Sequence, residues 1–510
     1  MEPAAEGREI LAGKERTGGD TPYGATTPSE DHLRLRGPPT SWMPGWHLLQ
    51  RRHYVALMAF FGFANIYAMR SSLTIAMLDM TKNRTVTING TTKHRIAEFS
   101  EWDSTTRGVI LSAFFYGYIC TQLPGGWLAR RHGGKLVYVM GVLGAAFLTL
   151  LTPPLAHMGK GVLIVTRACE GLFEGVAYPS MHAIWSQWAP PMEKTKLATI
   201  GFAGSYFGTV ISMPLSAWLG DNYGWPSIFY VFGMLALLWC AIWFKSVKNT
   251  PAEDRHITTE ELTHIQKEIG YTHEHVNADK PPWGEIVRSK AVWAIVIAHF
   301  CENWGFYTML THLPKFMSDV LHYDLQKAGL LTALPYLAMG IVVIAGGQFA
   351  DYLRVKRNWP TVKVRKVFCC GAFICQTVFI LLTAHAPSPG FAVFTITLAI
   401  GLGGFAWSGF SVNHLDLAPQ YAGLLMGFSN TFATIPGMIS PIVVGAIVTE
   451  GHVWQWRIVL YVAALLYAIG ALAYYLLASG ERQSWADVQG GYMSRLDELN
   501  ERTDAAQISD

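Results

Sequence analysis

The sequence predicts an all-α membrane protein of twelve transmembrane helices, arranged as two pseudo-symmetric six-helix halves. Three observations predict it: a composition suited to lipid, apolar stretches that fall into six, linker, six, and a similar segment at the same place in each half. Of 510 residues, 51% are hydrophobic and 15% charged, against roughly 25% charged in an ordinary soluble domain. A net charge of +3 is too small to suggest a nucleic-acid partner for so long a chain, and the basic residues sit in short loops rather than on one broad face. Cys120, Cys169, Cys240, Cys301, Cys369, Cys370 and Cys375 all fall inside apolar segments, where a thiol acts as a small hydrophobe. They indicate neither a disulfide framework nor a zinc site.

Residues 1–50 are polar, contain no apolar stretch that a signal peptide would need, and are expected to be a disordered cytosolic tail. Within them "EGREIL" loosely resembles an acidic dileucine sorting signal. A transmembrane helix needs about 20 mainly apolar residues, which gives spans 1 to 6 near 54–79, 107–128, 136–156, 160–181, 197–219 and 226–245. A charged stretch at 246–290 is the expected cytosolic linker between a first bundle, 51–245, and a second, 291–478. Spans 7 to 12 follow near 291–312, 326–348, 366–385, 390–412, 421–446 and 455–477, and 479–510 is a cytosolic tail.

The second span of each half ends alike, in "GGWLARRHGGK" from Gly125 and "GGQFADYLRVK" from Gly346. Two halves related by a pseudo-twofold would place equivalent tight basic turns there. Orientation follows from the short loops: Arg130, Arg131 and Lys135 lie between spans 2 and 3, and Arg354, Lys356, Arg357, Lys363, Arg365 and Lys366 between spans 8 and 9. Basic short loops face the cytosol. The long loop after span 1 carries sequons at Asn83 and Asn89, which fit the opposite, lumenal side.

Span 4, "LIVTRACEGLFEGVAYPSMHAIW", carries Arg167, Glu170 and Glu174 at spacings of three and four, on one helical face. At about 1.5 Å per residue the three lie roughly 10, 15 and 21 Å deep in a hydrocarbon core about 30 Å thick. Span 1 brings Arg70 and span 7 brings Glu302 to the same central layer. Each costs about 2.5 to 3.5 kcal/mol on insertion scales, so they face one another or a wet cavity. Arg167 can be satisfied by Glu170 or Glu174 as a structural ion pair, whereas Arg70 has no carboxylate at helical spacing on its own span. Its planar fork therefore points to a carboxylate ligand, and Glu170 and Glu174, with Arg167 as their counterion, are the proton-coupling candidates. Tyr116, Tyr118, Tyr206, Tyr307 and Asn303 can offer hydrogen bonds to a ligand or simply pack. His182 is expected at the cytosolic interface, and His273 and His275 lack a third ligand for a metal.

Here "RACEGLFEGVAYPSMHAIWSQWAPP", "GSYFGTVISMPLS", "FFYGYICTQLPGG", "WAIVIAHFCENWGFYTMLTHLP" and "SGFSVNHLDLAP" together resemble the anion and cation symporter family of the major facilitator superfamily, over residues of about 52 to 488. The resemblance implies the superfamily fold and a proton-coupled symporter of sialic acid and other acidic sugars, with acidic amino acids as further cargo, in a lysosomal or vesicular membrane. It implies that Arg70 engages the substrate carboxylate and that Arg167, Glu170 and Glu174 serve proton coupling. It calls for no cofactor, the coupling ion being H+, and the expected partners are a small organic anion, protons and the bilayer, with the protein working as a monomer. Members that load glutamate into vesicles carry an arginine where this chain has Glu302 and a histidine where it has Leu111. The superfamily's aspartate in the loop between spans 2 and 3 is replaced by Arg130, while the second-half copy keeps Asp351.

The alternative within the family is sodium-dependent phosphate uptake at the plasma membrane. From other classes, a receptor needs only seven spans, and no HExxH, G-x-S-x-G or G-x-x-x-x-G-K-[ST] motif supplies catalytic or ATP-driven chemistry.

Overall fold

In lipid the backbone has no water to pair with, so each apolar stretch closes its own hydrogen bonds as a helix. A computed structural model, describing residues 50–81, 84–88, 91–269, 281–323 and 325–486, has this form along nearly all of that length. Span 1 is Arg51–Thr81, span 2 Ser104–His132, span 3 Gly134–His157, span 4 the pair Lys160–Glu174 and Ala177–Trp188, span 5 Lys194–Tyr223 and span 6 Trp225–Ser246. Span 7 is Lys290–Asp319, span 8 Leu325–Lys356, span 9 Thr361–Ala384, span 11 Ala422–Ile447 and span 12 Val453–Leu477. Span 10 joins Pro389–Ala406 to Val412–Leu417 through a π-helical turn, Trp407–Ser411.

Among the described residues, spans 3, 6 and 8 to 12 are long and apolar enough to cross a membrane on length and composition alone. Of the other five, span 4 is broken into two shorter helices, and all carry polar or charged groups such as Arg70, Gln122, Arg167 and Glu302, which are turned inward and buried or half-buried. Span 4 runs further than 160–181 and breaks after Glu174; Pro179, which has no N–H to offer Gly175, weakens the helical ladder at that break. Gly133, with φ of 85°, makes the turn between spans 2 and 3 in a conformation a side chain would strain.

A β-hairpin that the sequence did not announce stands in the loop after span 1. Its strands β1 (Arg84–Ile88) and β2 (Thr91–Arg95) pair antiparallel with Arg84 opposite Arg95. The sequons at Asn83 and Asn89, the dileucine-like segment and the His273 and His275 pair lie outside the described residues. At the opposite end of the spans, the linker carries helices Thr259–Ile269 and Trp283–Arg288. The Glu261 carboxylate there accepts from the backbone N–H groups of Arg51 (2.8 Å) and Arg52 (3.0 Å), capping span 1. Arg51 pairs with Asp254 and Arg52 with Glu193 and Glu261, so the linker is fastened to the first span by charge.

The packing order of the first six spans recurs in the second six. Span 1 lies on 5 and 6, 2 on 4, and 3 on 4 and 6; likewise 7 lies on 11 and 12, 8 on 10, and 9 on 10 and 12. Between the halves, span 2 packs on 11 and span 5 on 8. Arg365, expected in a basic loop, is instead fully buried within span 9, where Asp416 and the Ser408 carbonyl satisfy it. Its position in the sequence marks only the helix end, and burial was decided by the facing spans.

Candidate functional site

Arg167, Glu170 and Glu174 are all buried on the inner face of span 4. Arg167 pairs with Glu170 one turn on, and Thr152 of span 3 donates to the same carboxylate at 3.3 Å. Glu174 takes a different cation: Nη2 and Nε of Arg70 both donate to its Oε2, at 2.9 and 3.2 Å. This corrects the expectation that Arg70 lacks a protein partner. Helical spacing reveals only neighbours on one span, and these two residues meet because side chains of spans 1 and 4 reach toward each other across the bundle. Part of the Arg70 fork stays free, because its buried Nη1 has no hydrogen-bond partner.

Close packing of spans 2 and 4 builds the surroundings of that pair. A Cβ on Gly171 would meet the Phe114 carbonyl oxygen, and one on Gly117 the Ala168 carbonyl oxygen, so only glycine lets the two backbones approach this far. Phe114 and Tyr118 are thereby brought against Arg70, whose guanidinium lies 4.3 Å from the Phe114 ring centre, 4.6 Å from Tyr67 and 5.0 Å from Tyr118. Cation–π attraction holds the cation there while leaving its edge open to an oxygen ligand.

Beside the pair is a narrow cavity lined by residues of both halves. Tyr118, Tyr206, Tyr307 and Asn303, four of the expected ligand residues, line it, whereas Arg70 sits behind Tyr67 and Tyr118, which do line it. Asn303 donates to the Ala433 carbonyl at 2.9 Å, and Asn430 donates to the Tyr118 hydroxyl at 3.2 Å. Tyr116 is exposed and takes no part.

Sequence reasoning missed Tyr67, Tyr178, His299, Trp407 and Asn430, which also line the cavity. Tyr67 lies three residues before Arg70 and Tyr178 four after Glu174, so extending the polar stripes by one turn finds both. Trp407 is aimed inward by the π-helical turn, for which the local sequence carries no signal.

Below the cavity, toward the linker end, the halves are joined by polar contacts. His182 is fully buried rather than interfacial; Phe202 stacks on its ring, and its Nε2 lies 3.1 Å from the Ser411 carbonyl of span 10. Lys194 and Arg365 both pair with Asp416, at 2.5 and 2.6 Å, and Asp351 accepts from the Lys196 backbone N–H at 2.7 Å. No cluster of three or more His, Cys, Asp or Glu able to hold a metal occurs among the described residues. The arrangement is a central chamber between two helical halves, tied shut at the linker end, with two arginine–carboxylate pairs at its side.

Comparison with known proteins agrees with this architecture. Residues 55–441 match the Major Facilitator Superfamily. The chain is 43% identical over 451 residues to "Sialin" of Homo sapiens, covering 85% of this chain and 90% of that protein. It is 40% identical over 464 residues to "Vesicular glutamate transporter 2" of Homo sapiens, covering 89% and 79%. Among solved structures, the E. coli fucose:proton symporter FucP superimposes with a TM-score of 0.61 at 14% identity, covering 84% of this chain and 99% of that one.

Proposed function

The chain belongs to the Major Facilitator Superfamily of membrane transporters, and from that premise we propose that it is a proton-coupled symporter of organic anions. Its cargo is an acidic sugar such as sialic acid, or an acidic amino acid, and its setting a lysosomal or vesicular membrane with the linker in the cytosol. The proposal draws on relatives named sialin and vesicular glutamate transporter. The observation that carries it is the Arg70–Glu174 pair beside the chamber.

A carboxylate ligand and the Glu174 carboxylate compete for one guanidinium, because both present oxygens to the same planar fork. Protonation of Glu174 removes its charge and frees Arg70 for the substrate. Loss of that proton returns Glu174 to Arg70 and expels the substrate. Each carboxylate carried is thus matched to a proton without a cofactor, and Glu170, held by Arg167 and Thr152, is a second exchange site. With both partners aboard, the chamber holds no added charge, which lowers the cost of moving it through a closed form as the halves rock about it. The monomer contains every part of this cycle.

In proteoliposomes holding the purified chain, uptake of radiolabelled sialic acid is expected to rise with an inward acid gradient and to be lost in Arg70→Ala. Replacing sodium by choline is expected to leave the uptake unchanged. Full transport by the Arg70→Ala variant overturns the assignment, and a strict sodium requirement selects the sodium-coupled alternative.

A further inference from the structure

The charges of the central layer do not balance. Arg70 holds Glu174 and Arg167 holds Glu170, two cations against two carboxylates, and Glu302 of span 7 is left over. It is 1% exposed, yet it lines the chamber. Its Oε1 receives one long contact, 3.4 Å from Gln376 Nε2, and its Oε2 has no hydrogen-bond partner. No ion pair among the described residues includes it. A buried carboxylate without a cation is costly, and it keeps its charge only when a cation arrives from outside; otherwise it takes up a proton.

The walls indicate what kind of cation that is. Tyr206, Phe306, Tyr307 and Trp407 line the same chamber as Glu302, with Tyr206 6.0 Å from Phe306 and 6.5 Å from Trp407 between ring centres. Aromatic faces around a single carboxylate suit an organic ammonium group, which gains cation–π attraction and one charged hydrogen bond. A hard metal cation instead needs six or so oxygen ligands, and no acidic or histidine cluster among the described residues supplies them. Tyr67 and Tyr118, whose ring centres lie 4.6 and 5.0 Å from the Arg70 guanidinium, line the same chamber as Glu302 and so connect the two ends of the site.

We propose that Glu302 is the anionic half of an ammonium-binding subsite, so that the preferred cargo carries an amino group together with the carboxylate taken by Arg70. This rests on the reading of the chain as an organic-anion symporter and narrows its cargo to amino acids with a net negative charge. Acidic sugars, which lack the amino cation, fill only the Arg70 end.

The test is competitive uptake of L-glutamate and glutarate, which differ by the amino group alone, into proteoliposomes of the full chain, with sialic acid as a third probe. The unmodified protein is expected to favour glutamate over glutarate by about tenfold or more, the scale of one charge-assisted hydrogen bond. Glu302→Gln is expected to bring that ratio near one, while Glu302→Asp keeps glutamate ahead. A ratio measured within one set of vesicles does not depend on how much protein folds. A ratio at or below one in the unmodified protein overturns the proposal, and so does an unchanged ratio in Glu302→Gln; should that variant carry neither probe, the unmodified ratio decides. Uptake of sialic acid with exclusion of glutamate overturns the Glu302 subsite alone. Failure of all three anions to accumulate overturns the symporter reading itself.

Discussion

At the scale of the residue, the proposed competition for Arg70 turns on one oxygen. Glu174 Oε2 takes both hydrogen bonds from the guanidinium, and nothing else in the described structure supplies Arg70 with a carboxylate. Replacing that carboxylate by an amide of the same shape removes the negative charge and mimics the protonated state of the proposed cycle. Glu174→Gln is therefore expected to exchange labelled for unlabelled substrate across the membrane at pH 7 while losing accumulation driven by an acid gradient. Counterflow and gradient-driven uptake measured on the same vesicles check this. Gradient-driven accumulation equal to that of the unmodified protein would remove Glu174 from the coupling step.

At the scale of the element, the start of span 1 is held by acids from two separate segments, Glu261 of the linker helix and Glu193 of the loop before span 5. Burial acts to raise the Glu193 carboxyl, but the hydrogen bond and charge of Arg52, helped by Lys196 and His53, outweigh it and hold the group below its ordinary 4.5. A depressed carboxylate contributes stability that is present above its unfolded value and is lost as pH falls through the folded one. Glu193→Gln is thus expected to lower stability by about 0.5 to 1 kcal/mol at pH 7, the scale of a half-exposed pair. The difference between variant and parent narrows as pH drops below 4.5. Thermal unfolding in detergent at a series of pH values measures it, and a difference independent of pH would show that the pair is not the cause.

At the scale of the whole molecule, the geometry is that of a chamber tied at one end. The polar contacts between the halves, from Asn430–Tyr118 through His182–Ser411 to Lys194–Asp416, run from the chamber toward the linker end. Asp416 is the centre of that tie, since its two oxygens pair with Lys194 and Arg365. Asp416→Asn leaves two buried cations without their counterion, an effect of about 3 to 5 kcal/mol when one partner of a buried pair is removed. The expected outcome is a lower unfolding temperature in detergent and faster labelling of Cys369, which packs under this region against Gly409, by a small thiol reagent. An unfolding temperature and labelling rate equal to those of the parent would show that the tie carries no load.

The sequence by itself determined the solvent, the positions of the spans, the twofold repeat and the common face of Arg167, Glu170 and Glu174, because each of these follows from hydropathy, length and helical periodicity. It also marked Tyr118, Tyr206, Asn303 and Tyr307 as inward groups, since polar atoms in lipid-facing helices turn away from lipid. Only the tertiary structure decided that Arg70 meets Glu174 while Arg167 keeps Glu170, that Glu302 has no cation, and that Trp407 enters the chamber from a π-helical turn. It likewise placed Arg365 in the interior and not in a loop. Periodicity along one helix fixes which face a side chain occupies, but the partner it meets is set by the close approach of glycine-bearing spans far apart in the chain, which no spacing within a single helix encodes.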